Sequence, residues 1–265
     1  MSPKLGKALL LASAGIAYAL ILGPILVVIV AAFSASEFFA FPPTAFSLRW
    51  FVTFFKTPDM RDAFLLSLEL ALLAASAATT LGTLAALFLA RIRGPLAALL
   101  QGLFLAPLVF PTVILGLSLL LFYKTLGGMP IFLGLLIAHT VVGSPFAIRA
   151  ILASLQSFDP ALEEAGQSLG AGPLRTFLEV TLPLIWPGLL SGWMFAFIVS
   201  FGELNTALFL TGPGVTTLPI EIFSYLQFQG GQLVIAAASA LQVGLILAMV
   251  FAVERIVGLA RMVRG

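Results

Sequence analysis

Six long apolar runs, separated by short polar or proline-bearing segments, organise this chain. They cover residues 9–33, 63–90, 97–123, 131–155, 184–210 and 233–253. A helix rising about 1.5 Å per residue needs ~20 apolar residues to cross ~30 Å of hydrocarbon. The pattern therefore predicts an all-α membrane protein with six transmembrane helices in a single domain over 1–265. Residues 34–62, with Pro42, Pro43 and the aromatic segment SLRWFVTFF, predict an external loop holding a short interfacial helix with Trp50 at headgroup level. Two runs carry a small residue at every fourth position: Ala74, Ala78, Gly82, Ala86 and Ala90, then Ala236, Ala240, Gly244, Ala248 and Ala252. Such stripes let a neighbouring backbone come close, so both helices are expected inside a bundle.

Composition agrees: 61% of the 265 residues are apolar and 9% charged, against about 25% charged in soluble domains. With no cysteine and one histidine, His139, the chain offers no disulfide framework, thiolate site or histidine metal cluster. His139 is expected to pack against a helix neighbour. Thirteen Lys and Arg against eleven Asp and Glu are too scattered for a nucleic-acid footprint and report topology instead. With the N-terminus inside, Lys4, Lys7, Arg91, Arg93, Arg149, Arg175, Arg255, Arg261 and Arg264 share the cytoplasmic side, and Arg49, Lys56, Arg61 and Lys124 lie outside. Positive residues stay cytoplasmic, so both termini are placed there. The first run is longer than a signal-peptide core and lacks a small-x-small site, which favours a retained anchor. Pro107, Pro111 and Pro145 predict kinks, while Trp186 and Trp193 are read as interface and packing residues.

The scarce acids are concentrated at residues 159–183, where Asp159, Glu163, Glu164 and Glu179 fall. Asp159-Pro160 is a helix start, with Glu163 and Glu164 near its positive end. Ala161, Leu162, Ala165 and Leu169 share one face. Gly170-Ala-Gly-Pro173 ends that helix, and a second, LRTFLEVTL, is expected to stop at Pro183. Two short amphipathic helices on the inner side of the membrane result. The chain has no G-x-x-x-x-G-K-[ST] motif, and its one Gly-Lys pair, Gly6-Lys7, is followed by Ala8. Energy for driven transport must therefore arrive through a protein contact.

Glu164-Ala165-Gly166, three residues, Gly170, nine residues, Val180, one residue and Leu182-Pro183 resembles the EAA loop of permease subunits of binding-protein-dependent ABC importers. Gly166 stands for the motif's second Ala and Val180 for its Ile. The resemblance implies the type I importer permease fold, with residues 159–183 as a cytoplasmic coupling helix that docks on a separate ATPase. ATP and Mg would be bound by that partner, with no cofactor in this chain and no enzymatic activity of its own. It also implies a second permease subunit, related but non-identical, an external or periplasmic solute-binding protein, and the bacterial inner membrane.

Residues 200–226, SFGELNTALFLTGPGVTTLPIEIFSYL, resemble the end of the fifth span and the following external loop in spermidine/putrescine-type permeases. Relatives often carry acids at the positions of both Gly202 and Glu203; here the second alone is acidic. Ionisable groups at membrane depth are costly and mark paths or partners. Glu203, Asn205 and Glu69 are therefore the candidate translocation residues, and carboxylates without a matching Lys or Arg favour a cationic solute. The expected function is half of the path of an ATP-driven importer for a small cation such as a polyamine. A self-contained secondary transporter or channel is the alternative, though no internal repeat is visible. An intramembrane serine protease would need an activated serine, and Gly116-Leu-Ser118-Leu lacks that setting.

Overall fold

The computed structural model describes residues 3–228 and 232–264; the side chains of Lys4, Arg261 and Arg264, which enter the charge count above, lie outside the described set. The elements are helical throughout, joined by turns and two isolated bridges. Five helices are long and apolar enough to cross a membrane, or six if one sharply bent pair is a single span. The chain divides into two compact units, Met1–Asp62 with Glu221–Leu245 and Ala63–Ile220 with Ile246–Gly265.

In the first unit, α1 (Pro3–Ala32) leaves Leu9, Leu20 and Ile21 more than half exposed, as a lipid-facing helix does. Its end packs through Ala31 and Ala32 against Leu233, Ala236 and Ala237 of α12 (Gln232–Arg264), which follows α11 (Leu218–Phe228), and against Trp50 and Phe51 of α2 (Arg49–Lys56). The expected interfacial helix is α2 (Arg49–Lys56), with Arg49 stacked 4.8 Å over Trp50 and bonded to Glu37 at 3.3 Å. Phe54 is fully buried rather than at a headgroup surface.

The second unit is built around α3 (Pro58–Arg91), α6 (Ile131–Gln156) and α9 (Leu182–Phe201). Ala74, Ala78 and Ala86 of the α3 stripe are buried, and a Cβ on Gly82 would lie 3.1 Å from that of Ala147 on α6. Ala90 at the helix end is exposed. On its other side α6 meets a stripe that the sequence reading passed over, Gly188, Gly192 and Ala196 of α9. A Cβ on Gly192 would approach Ala147 Cα to 3.1 Å, and one on Gly143 would approach Ala196 Cβ to 3.2 Å. Lipid is as apolar as leucine, so this close backbone contact supplies the dispersion energy that holds the helices together. The α12 stripe behaves otherwise. Ala236 is buried, but Gly244, Ala248 and Ala252 are exposed, and nothing lies within 4 Å of a Cβ on Gly244.

Two expected spans are revised. The run 97–123 forms α4 (Pro95–Leu105), a 3₁₀ turn (Ala106–Leu108) and α5 (Thr112–Thr125), with a bend of 96° between the halves. Proline lacks an N–H and disfavours helical geometry in the residue before it, so Phe110-Pro111 breaks the helix outright rather than kinking it. The run 184–210 ends as a helix at Phe201, and a turn through Gly202–Thr206 leads to the short α10 (Ala207–Leu210). By contrast α6 continues through Pro145.

The seam makes a direct test. Replacing Gly192 with Leu is expected to destabilise the isolated chain by about 1–3 kcal/mol through overpacking against the Ala147 backbone. Gly244→Leu is expected to leave thermal unfolding in detergent unchanged. Equal midpoints for the two variants would contradict the seam.

Candidate functional site: an acidic knob and two helix breaks

Asp159 caps α7 (Ala161–Ser168) as its sequence demands, accepting the Ala161 N–H on Oδ1 at 2.9 Å. The helix closes with a Schellman arrangement: Ala171 N–H donates to Gly166 O at 3.1 Å and Gly170 N–H to Gln167 O at 2.9 Å. Gly170 sits at φ +90°, where a Cβ is strained, which gives the motif's second glycine its physical reason. The other glycine differs. A Cβ on Gly166 would meet Val180 Cγ2 at 3.5 Å and Thr176 Cγ2 at 3.8 Å, ordinary contacts that an alanine would fill.

The second short helix is not separate. From α8 (Pro173–Thr176) the chain passes through a π-helical segment (Phe177–Thr181) directly into α9, giving one helix over Pro173–Phe201. Pro183 does not end it. A proline in the first turn of α9 removes an N–H that the wider π turn leaves without its ordinary acceptor, so the helix passes without a break. Leu182, beside it, is half-buried and helps line the α3–α9 groove.

The four acids then separate by role. Asp159 is the cap. Glu163 is drawn inward: Thr181 Oγ1, fully buried at the base of α9, donates to its Oε1, and Arg91 Nη2 at the end of α3 lies 3.9 Å from its Oε2. Glu179 pairs with Arg175 at 2.9 Å, an exposed i, i+4 contact of about 0.3–0.5 kcal/mol. Glu164, exposed, is the one of the four whose carboxylate has neither an ion pair nor a hydrogen bond among the described residues. Around it Leu162, Ala165, Leu169 and Leu174 are exposed, with Leu169 89% open. The knob thus turns an apolar surface with one free carboxylate outward and is tied at its base to α3 and α9. Arg91 and Thr181, which make that tie, were missed in the sequence reading.

The candidate pathway residues gather at the breaks, with one exception. Glu203 is buried, 9% exposed, and its Oε1 accepts the Thr206 N–H at 2.9 Å. It therefore lies in the turn after α9 rather than inside a helix. Asn205 Nδ2 donates to Thr112 Oγ1 at 3.1 Å, and Thr206 Oγ1 to Thr112 O at 3.3 Å. The turn after α9 is thereby joined to the break before α5, and Gly116 lets the Thr206 backbone come close enough that a Cβ would be 2.8 Å from its oxygen. Glu69 is exposed on α3 and, among the described residues, no hydrogen bond or ion pair joins it to Glu203 or Asn205. His139 is fully buried and shares a 2.8 Å hydrogen bond with Ser200 across α6 and α9, the helix-packing role expected of it. The groove of about 760 Å³ between α3 and α9 is walled by Thr79, Thr83, Leu84, Trp186, Leu190 and Trp193. Trp193 Nε1 donates across it to Ser76 Oγ at 3.1 Å.

The two motif glycines are expected to answer differently to alanine. Gly170→Ala costs about 1–2 kcal/mol of local stability by forcing a side chain to positive φ. Gly166→Ala fits and favours the helix by about 1 kcal/mol. Hydrogen exchange of the α7 amides reports both, and the same sign for the two variants would contradict this geometry.

Residues 78–258 match the family described as binding-protein-dependent transport system inner membrane component. The chain is 39% identical to the putrescine transport system permease protein PotI of Escherichia coli (strain K12), over 76% of this chain and 74% of that one. It is 30% identical to the spermidine/putrescine transport system permease protein PotC of the same organism, over 90% of each. The molybdenum transport system permease protein ModB of Mycobacterium bovis is 35% identical over 70% of this chain and 78% of its own. A crystal structure of a bacterial ABC transporter that imports alginate shares the fold, with a TM-score of 0.73 at 18% identity over 96% of this chain and 94% of that one. A multi-pass inner-membrane protein with this match belongs to the binding-protein-dependent transport system inner membrane components, the permease subunits of ABC importers.

Proposed function

We propose that this permease forms half of the path for a small polycation of the putrescine and spermidine class. Its knob receives a cytoplasmic ATPase dimer and a related second permease completes the path. An external binding protein delivers the solute. One observation carries the coupling part: of the four knob acids, Glu164 alone is left unpaired, and it stands on an exposed apolar surface that is anchored at its base. A basic or amide-rich cleft on the ATPase fits that surface, and the knob side is then cytoplasmic, with both termini there, as the Lys and Arg distribution favours. ATP and Mg belong to the partner. The substrate class is supported by the two polyamine permeases above and by the carboxylate and amide at the breaks, Glu203 and Asn205. Tryptophan faces in the α3–α9 groove suit ammonium groups through cation–π attraction. The molybdenum relative favours an oxyanion instead, but Arg149, near the knob-side end of α6, is the one Lys or Arg inside the apolar runs to meet one.

Two outcomes test this in proteoliposomes holding the complete importer. Labelled putrescine should accumulate on ATP addition while labelled molybdate does not; the reverse would overturn the substrate class. Replacing Glu164 with Arg should lower uptake per ATP hydrolysed at least about tenfold, since opposing a complementary site with like charge costs several kcal/mol. Unchanged coupling would remove Glu164 from the docking surface.

A further inference from the structure

The face made by α3, α4 and α6 carries two cavities at successive levels of the same three helices. The deeper one, about 540 Å³, is walled by Leu84, Ala85, Phe88, Leu103, Phe104 and Ile148. Its one side-chain hydroxyl, on Ser144, already donates to Thr140 O at 2.6 Å, so the chamber offers no free donor to a polar solute. The second, about 410 Å³, lies toward the knob, where α3 and α6 end and α4 begins. Arg93, Gln101 and Gln156 give it a polar rim, and no carboxylate lines it. Arg91 nearby is engaged by Glu163. Arg93 has no ion-pair partner, and the two glutamine side chains no hydrogen bond, among the described residues.

Depth decides what fits. From Leu81 in the chamber wall to Arg91 at the end of α3 is about 15 Å of helix rise. That equals one leaflet of a ~30 Å hydrocarbon core. An apolar chamber at acyl depth beneath a cationic, amide-bearing rim at interface depth matches an anionic phospholipid end to end. We infer that this groove is a binding site for an anionic phospholipid of the leaflet on the knob side, its phosphate at Arg93 and one acyl chain between α3, α4 and α6. Phe158 and Pro160, the entry to α7, line the same rim. A bound headgroup therefore braces the segment by which the knob joins α6, and coupling becomes sensitive to lipid composition. The site is independent of which solute is carried.

Native mass spectrometry of the complete importer, titrated with dioleoyl-phosphatidylglycerol and dioleoyl-phosphatidylcholine, tests it without reference to transport. The wild type should retain the anionic lipid preferentially. Arg93→Gln should weaken that binding about fivefold, the effect of one basic residue at an anionic interface, and leave phosphatidylcholine unchanged. Ala85→Phe, which fills the chamber, should weaken both lipids, whereas Leu121→Phe on exposed α5 should alter neither. Three results would each overturn the inference: anionic lipid retained equally by the Arg93 and Ala85 variants, glycerol phosphate competing as well as the intact lipid, or cysteines at Leu84 and Leu103 cross-linking to the second permease subunit, which would show protein covering the groove.

Discussion

Close backbone approach between α6 and α9 is the constraint on which the rest depends. Gly143, Ala147, Gly188, Gly192 and Ala196 remove the side chains that would keep the two helices apart, and Ala147 touches α3 from the same place through Gly82. In a membrane no hydrophobic effect drives helices together, so contact density must do so. Three helices locked at that density move together or not at all. The His139–Ser200 hydrogen bond adds a polar pin within the same seam through Nδ1, while Nε2 stays buried without a hydrogen-bond partner among the described residues.

What the seam joins explains the layout of function. At one end α9 continues without interruption into the π-helical and α-helical base of the knob, and Glu163 ties α7 both to that base and to α3. At the other end α9 stops at Phe201, and its turn is bonded to the break before α5 through Thr112. In the coupling role proposed above, a push on the knob would reach the helix breaks through a continuous, tightly packed member rather than through loops. Irregular backbone at membrane depth is tolerated where it is buried in protein or lines a cavity. Glu203 satisfies this condition: it is buried in the turn before α10 and accepts the Thr206 N–H there, so its position is structural as well as chemical.

Much of this was legible in the residues. The six apolar runs, the α3 stripe, the Asp159 cap and the Gly170 stop each rest on local chemistry that one sequence displays. The knob was legible because its motif rests on local constraints, a positive-φ glycine and a contact between positions 166 and 180, preceded by a capping acid at Asp159. Three things were not legible. Pro111 and Pro183 look alike in sequence, yet one breaks a helix and the other is absorbed by a π turn, because the outcome depends on what neighbouring helices offer the freed backbone groups. Glu203 read as a charge inside a span, since nothing local marks Phe201 as the last helical residue. The α12 stripe read as buried, yet its spacing is the same as that of α3, and only the presence of a neighbour distinguishes them.

The central claim is that knob and α9 form one rigid member, and the absence of cysteine makes it testable. Cysteines introduced at Gly166 and Val180, where side-chain atoms would be in contact, can be joined by a short cross-linker in the reconstituted importer. ATP-driven uptake should then continue within about twofold of the uncross-linked protein, since no relative movement at that contact is needed, an inference from tight packing of two-state elements. Uptake abolished by the cross-link and restored by cleaving it would show that the knob moves against α9, and would contradict the account.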